Sequence, residues 1–268
     1  MRTIASNLTT RDPKIGRLFR HILAGCEDDD DDSAVLQDVA QACAGAGADA
    51  LEINLQQHFD QIEAMEFAVK AVQQSTDLQL CLSSNKADVL EAGLKICRRP
   101  PIVNYVSIDV ARLKEILPLA VKYKAEVILL ISDPASPGDA RQMLEKAAIL
   151  VGAANAAGIS NERIILDPGI FHITVEQGQH HLVEVVELLR AVPDTFDPAV
   201  GTTCWLSNSS AGAPARLRPV IETALLSMLA GIGLSSVFLD VLRKENMRTV
   251  RLLKIFQNEE VYAEGNLV

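Results

Sequence analysis

The sequence predicts an α/β fold, a single (β/α)8 TIM barrel running over residues 1–268, and three observations predict it. Eight short stretches rich in β-branched and aliphatic residues recur along the chain, each followed by a stretch of helical period. Aliphatic side chains dominate an apolar share of 49% while aromatics supply only 4%, which suits barrel layers filled by Val, Ile and Leu. Polar residues collect where several of the apolar stretches end, the place at which a barrel carries its chemistry.

The first strand is predicted over residues 3–8. Beyond it, Glu27-Asp28-Asp29-Asp30-Asp31-Asp32 is a run of six like charges without the spacing of a calcium loop such as D-x-[DN]-x-[DN]-G. It reads as a solvated loop before a helix that Ser33 caps, the acids favouring the helix's positive end; a weak cation site or a partner-docking loop is the alternative. The second strand, 50–55, leads into an amphipathic segment over 60–75. Strand 78–82 and helix 86–97 follow, then strand 102–106 and helix 109–123, then strand 126–131 and helix 137–157. Strand 163–166 precedes helix 182–191, strand 201–206 precedes helix 219–230, and strand 236–239 precedes helix 241–256. The apolar runs are short enough for buried strands, and the segments between them repeat with helical spacing.

A chain of 268 residues fits one barrel domain, and no Pro/Gly/Ser-rich linker or shift of composition divides it. The start Met1-Arg2-Thr3-Ile4-Ala5-Ser6 lacks the apolar core of a signal peptide, and no run of eighteen apolar residues occurs, so the chain reads as soluble and cytoplasmic, with no membrane partner. Cys26, Cys43, Cys81, Cys97 and Cys204 are spread out without CxxC spacing and read as reduced, structural thiols. A net charge of −10 argues against a nucleic-acid partner, which needs clustered Lys and Arg.

At the predicted strand ends stand Asn7, Asn54, Ser83 with Ser84 and Asn85, Asn104, Asp133, Asp167 and Asn208. Uncharged amides dominate this rim, which suits a flat, polar, largely neutral heterocycle offering both donors and acceptors. A sugar phosphate is poorly served, for the rim has no Gly-rich phosphate loop, no Schiff-base lysine and no obvious pair of carboxylates for glycoside chemistry. Asn54 could equally cap a turn, Asp167 begins the turn signature Asp167-Pro168-Gly169, and Asn208 lies in a polar loop; their shared rim is the argument. His172, His180 and His181 lack metal-ligand spacing, so no metal is predicted, and His58 reads as a surface residue that could reach a substrate tail.

At these residues the chain resembles the pterin-binding barrel family, in particular methyltetrahydrofolate:corrinoid/iron–sulfur protein methyltransferases, with dihydropteroate synthases as more distant relatives. The segment 47–54, ending Leu51-Glu52-Ile53-Asn54, resembles the family's "GA…LD(I/L)N"; Ala64-Met65-Glu66-Phe67 resembles "AMEW", Leu80-Cys81-Leu82-Ser83-Ser84 "CLDS", and residues 91–95 match "EAGLK". Val103-Asn104-Tyr105-Val106-Ser107 corresponds to "INST", Ile165-Leu166-Asp167-Pro168 to "YIDP", residues 206–210 to "GLSNVS" and Arg218-Pro219 to a downstream "RP".

The resemblance implies that Asn104 and Asp167 hold a pterin, Asp167 accepting from its 2-amino and ring N–H edge, with Ser83, Ser84, Asn54, Asn7 and Arg218 as further substrate contacts. It implies that Asn208 sits near N5 of the folate as the catalytic amide, helping the nitrogen leave as the methyl departs. The substrate would be methyltetrahydrofolate, the methyl acceptor a corrinoid (cobalamin) carried by a separate protein, and the enzyme a homodimer through its outer helices.

The chain departs from the family pattern at Ser83, where "CLDS" has Asp, at Asn54-Leu55-Gln56-Gln57 in place of "NVGP", at Tyr105 and Val106 in "INST", and at Ile4-Ala5-Ser6-Asn7-Leu8-Thr9 in place of "IGERIN". These departures motivate an alternative, a noncatalytic or altered-substrate barrel acting as a binding subunit. A lesser alternative is a dihydropteroate synthase-like enzyme, whose "DPG" loop Asp167-Pro168-Gly169 resembles but whose loop lysine, "S-x-K" and Arg-x-His are missing.

Overall fold

In the computed structural model, which describes residues 1–24, 30–132 and 138–267, eight parallel strands pair in the order β7-β6-β5-β4-β3-β2-β1-β8. They are β1 Arg2–Thr9, β2 Ala50–Asn54, β3 Gln79–Ser83, β4 Ile102–Val106, β5 Glu126–Leu130, β6 Ile164–Asp167, β7 Gly201–Thr202 and β8 Ser236–Leu239. The ring is completed between β7 and β8, where Phe238 donates its N–H to the Cys204 carbonyl at 2.9 Å and Trp205 forms a parallel bridge with Phe238. The protein is a (β/α)8 TIM barrel.

Helices α1 Pro13–Leu23 and α2 Asp30–Ala46 follow β1; α3 Gln56–Phe59 and α4 Ile62–Ser75 follow β2. Then come α5 Ala87–Ile96, α6 Val110–Lys122, α7 Ala140–Ala157 and α8 Glu176–Thr195, with α9 Leu206–Ser209 and α10 Arg218–Ala230 after β7 and α11 Lys244–Phe256 after β8. Helix α1 has a start signal that the apolar pattern alone does not flag: Asp12 caps it by accepting from the N–H groups of Lys14 and Ile15, and Pro13 takes the first helical position. Ser33 is not the cap of α2, because that helix begins at Asp30, inside the acidic run, where negative charge favours a helix N-terminus. Cys26 and residues 27–29 of that run lie outside the described residues.

The barrel holds two apolar layers. Inside, Ile4, Ala50, Cys81, Ile102, Ile128, Ile165 and Phe238 come from seven strands and meet on the axis, with Trp205 packed on top. Outside, the other faces of the strands bury Val, Leu and Ile against the helices, each full burial contributing about 1.5–3 kcal/mol. At the N-terminal end Arg2 makes a bidentate pair with Glu126 at 2.9 and 2.8 Å and a bond to Gln79 at 3.2 Å. The opposite, C-terminal end is open, so the interior layer forms the floor of a site rather than a pore.

Two predicted elements differ most in their bounds. Strand β7 stops at Thr202 instead of residue 206, because the chain turns to make the Trp205 bridge and enters α9. Helix α8 begins at Glu176 instead of residue 182 and contains Pro193 in its last turn, where the missing N–H interrupts little of the helix beyond it.

Candidate functional site

Strand register sets the first row of the site. Asn54 pairs with Ser83 and Ser83 with Asn104, so the C-terminal ends of β2, β3 and β4 present these three side chains level with one another. They line a cavity of about 1050 Å³ at that end of the barrel, together with Asp167, Trp205 and Asn208. A volume of this size accommodates a ligand larger than a single heterocycle.

Behind the row lies Glu52, 1% exposed on β2. Its Oε1 accepts from Ser83 Oγ at 2.5 Å, Asn104 Nδ2 at 3.0 Å and Asn54 Nδ2 at 3.2 Å. Burial pushes this carboxyl up to about 7, with the bonds from Ser83, Asn104 and Asn54 opposing the shift. Asn104 also donates to Ser83 Oγ at 2.9 Å, which leaves its carbonyl Oδ1 buried without a protein partner. An unpaired buried acceptor costs about 1–3 kcal/mol, and this one belongs to a residue that lines the cavity.

Asp167 ends β6, is 4% exposed and accepts from the Gly169 N–H at 2.8 Å through Oδ1. Burial pushes its carboxyl up to about 7 and the Gly169 bond only partly offsets this. Asn208, on the short helix α9, is exposed at the cavity wall. Trp205 stacks on Phe238 with ring centroids 4.7 Å apart and planes 7° from parallel, so an aromatic floor separates the cavity from the barrel interior.

The other predicted residues divide. Ser84 lines the cavity, but its hydroxyl bonds Asp60 Oδ1 at 2.7 Å, and Asp60 Oδ2 accepts from the Asn85 N–H, so Ser84 shapes the β3–α5 loop. Asn7 does not reach the cavity: its amide donates to Asp240 and accepts from the Val241 N–H. Ser6 faces the cavity by ordinary alternation from the inward Ile4, and a register shift between Ala5 and Leu8 reverses the alternation beyond it and brings Thr9 to the cavity as well. Arg218 also stays off the wall, exposed at the start of α10 with Nε donating to the Ala213 carbonyl at 3.1 Å. His58 is exposed on α3, outside the cavity wall, and Asp133 lies outside the described residues.

Among the wall and support residues absent from the sequence-based set are Glu52, Asp60, Arg112 and Trp205. An acid within the apolar run Ala50-Leu51-Glu52-Ile53 is itself a signal, since a buried carboxyl persists only when hydrogen-bonded. Arg112 has no comparable local signal; its guanidinium donates to the carbonyls of Ser84, Asn85 and Tyr105, fastening the β3–α5 loop to the end of β4 at the rim.

The sequence matches the pterin binding enzyme family over residues 23–237. The chain belongs to the pterin-binding enzyme family. Among characterised members, it is 25% identical over 223 residues to the methylcorrinoid:tetrahydrofolate methyltransferase of Eubacterium limosum, covering 82% of this chain and 80% of that one. Among solved structures, it superposes on dihydropteroate synthase from Stenotrophomonas maltophilia with bound imidazole, at a TM-score of 0.67 and 16% identity over 98% of this chain and 94% of the other. The Xanthomonas albilineans dihydropteroate synthase bound to 7,8-dihydropteroate gives the same TM-score at 17% identity, again over 98% and 94% of the two chains. These structural likenesses show the barrel fold alone. No helix among the described residues is long and apolar enough to cross a membrane.

Proposed function

We propose that this pterin-binding enzyme moves the N5-methyl group between methyltetrahydrofolate and a corrinoid carried by a separate protein. The observation that carries the reading is the pairing, in one cavity, of a buried acceptor without a protein partner, Asn104 Oδ1, with a buried carboxyl, Asp167. A pterin offers its 2-amino and ring N–H donors along one edge, and an ionised carboxylate beside an amide carbonyl is complementary to that edge. Asn54, Ser83 and Ser84 stand on the same wall as substrate-side residues, while Asn7 and Arg218 contribute from outside it by holding neighbouring segments.

Asn208 takes the catalytic place. As the methyl departs, the C–N electron pair stays on N5, which must gain a proton or a hydrogen bond; a neutral amide that bonds more strongly in the transition state lowers that barrier without titrating. The name of the Eubacterium limosum relative supports both substrates. Pyrophosphate departure, the chemistry of a synthase, is poorly served: among the described lining residues the only guanidinium groups are Arg11 and Arg112, the second committed to three carbonyls, and there is no lysine. The reading includes a homodimer through the outer helices, where Ile149, Val183, Val220 and Met228 stand exposed; light scattering tests it.

Calorimetric titration with methyltetrahydrofolate, beside an Asp167→Ala control, tests the function. Binding lost in the control supports the pterin site. Absence of wild-type binding at millimolar ligand overturns it in favour of a barrel with an altered or no substrate.

A further inference from the structure

We infer that Glu52, which does not itself line the cavity, sets the hydrogen-bonding polarity of Ser83 and Asn104 on its floor, making both present acceptors only and so selecting ligands that offer N–H donors there. The inference rests on the pterin reading and adds a specificity-determining residue to it.

The side-chain protons of Ser83 and Asn104 are accounted for. Ser83 has one hydroxyl hydrogen, and it is spent on Glu52 Oε1 at 2.5 Å. The side-chain amide of Asn104 has two, and Nδ2 directs them to Glu52 at 3.0 Å and Ser83 at 2.9 Å. What these two lining residues have left to offer is a lone pair on Ser83 Oγ and the unpartnered carbonyl of Asn104. Asn54 is turned the same way, with Nδ2 on Glu52 at 3.2 Å.

One carboxylate oxygen therefore orients three cavity-lining side chains. It can do so because it carries no hydrogen of its own when ionised. An amide in its place would offer Ser83 a donor, release the serine hydrogen toward the ligand and let Asn104 turn over. The floor would then mix donors with acceptors, and a ligand's N–H edge would meet an N–H or O–H.

Glu52 is thus a positioning residue, acting through Ser83 and Asn104. In a Glu52→Gln background, Ser83→Asp should replace its effect, because the introduced carboxylate could accept from the introduced amide with one oxygen and from the ligand with the other.

The experiment is calorimetric titration with methyltetrahydrofolate at about pH 8, where the Glu52 carboxyl is ionised, of wild type, Glu52→Gln, Ser83→Ala and the double variant Glu52→Gln/Ser83→Asp, each with a thermal melt to verify folding. Glu52→Gln should lose about tenfold or more in affinity, the scale of a hydrogen bond to a charged group, and the double variant should recover most of it. A merely structural glutamate would give a loss that Ser83→Asp does not repair, and that result overturns the inference, as does unchanged affinity in Glu52→Gln. If Glu52→Gln does not fold, Ser83→Ala decides, since it keeps the buried charge and removes the acceptor: a loss of about tenfold supports the inference and unchanged affinity overturns it. Wild type that fails to bind overturns the pterin reading and this inference together, whereas wild-type binding with silent or unrepaired variants overturns this inference alone.

Discussion

Asp167 and His181 grip the two sides of one residue: Gly169 donates its N–H to Asp167 Oδ1 at 2.8 Å, and its carbonyl oxygen lies 2.8 Å from His181 Nε2. Gly169 has φ of 71°, a region costly for side chains, and a Cβ there would meet Ser132 Cβ at 3.0 Å. Burial lowers the His181 pKa, so the ring is held neutral and donates through Nε2. The same ring stacks on Phe171 at 4.0 Å between centroids. A loop that forms one wall of the cavity is therefore fastened to the acid that would hold the ligand.

Asp167 makes both stability and binding depend on pH. Its folded-state value is pushed up to about 7, against about 4 in the unfolded chain. Between those values the folded state keeps a proton that the unfolded state releases, so this contribution is present at low pH and is lost as pH rises through 7. Asp167→Asn should raise the melting temperature of the free protein at about pH 8 and change it little near pH 4; an equal shift at both would remove titration as the cause. A pterin N–H edge requires the ionised form, so affinity for methyltetrahydrofolate should rise from about pH 6 to 8 with proton release, to which Glu52, also pushed up to about 7, contributes beside Asp167. Calorimetry in buffers of different ionisation enthalpy measures that release directly.

Gly178, in the first turn of α8, is required by close approach. A Cβ there would stand 1.9 Å from the His172 carbonyl oxygen. Because Phe171, His172 and Val175 line the cavity, Gly178→Ala should both destabilise the fold by about 1–3 kcal/mol, as overpacking does, and weaken ligand binding. A denaturant melt and a titration on the same variant check the pair; lost stability with intact affinity would mean that the loop gives way on its solvent side.

At the other end of the barrel the expectation is the reverse. Arg2 and Glu126 are bidentate and roughly three-quarters buried, with side-chain exposures of 28% and 21%. Arg2→Ala leaves Glu126 and Gln79 without their cation and should cost about 1–3 kcal/mol, discounted from the fully buried case for that exposure. Methyltetrahydrofolate affinity should stay unchanged, because stability is concentrated at the N-terminal face of a barrel and ligand contacts at the C-terminal face. A parallel fall in affinity would show that the two ends are coupled.

The barrel was legible because each strand is a short apolar run and each outer helix an apolar stripe, local signals that tertiary packing reinforces. The end of β7 was not, since residues 203–206 are apolar enough for a strand and only the Trp205–Phe238 bridge turns them. Asn54, Ser83 and Asn104 could be placed together because parallel strands of similar length end level with one another. Asn7 stands three residues from the inward-facing Ile4, a parity that turns it away from the cavity, and its partners Asp240 and Val241 are brought to it only by the fold. Arg112 owes its place to three carbonyls brought together only by the fold.

Asn208 gives the sharpest test of chemistry. It sits exposed at the cavity wall on a four-residue helix that follows the Trp205 floor, so truncation opens no buried cavity and should leave the fold intact. If its amide strengthens its bond to N5 as the methyl leaves, Asn208→Ala should lower kcat and kcat/KM together, by about ten- to a hundredfold for one hydrogen bond made in the transition state. The dissociation constant for methyltetrahydrofolate should move far less. Methyl transfer to reduced cobalamin supplies the rate and calorimetry the affinity. Equal losses in rate and binding would assign Asn208 to ground-state contact alone.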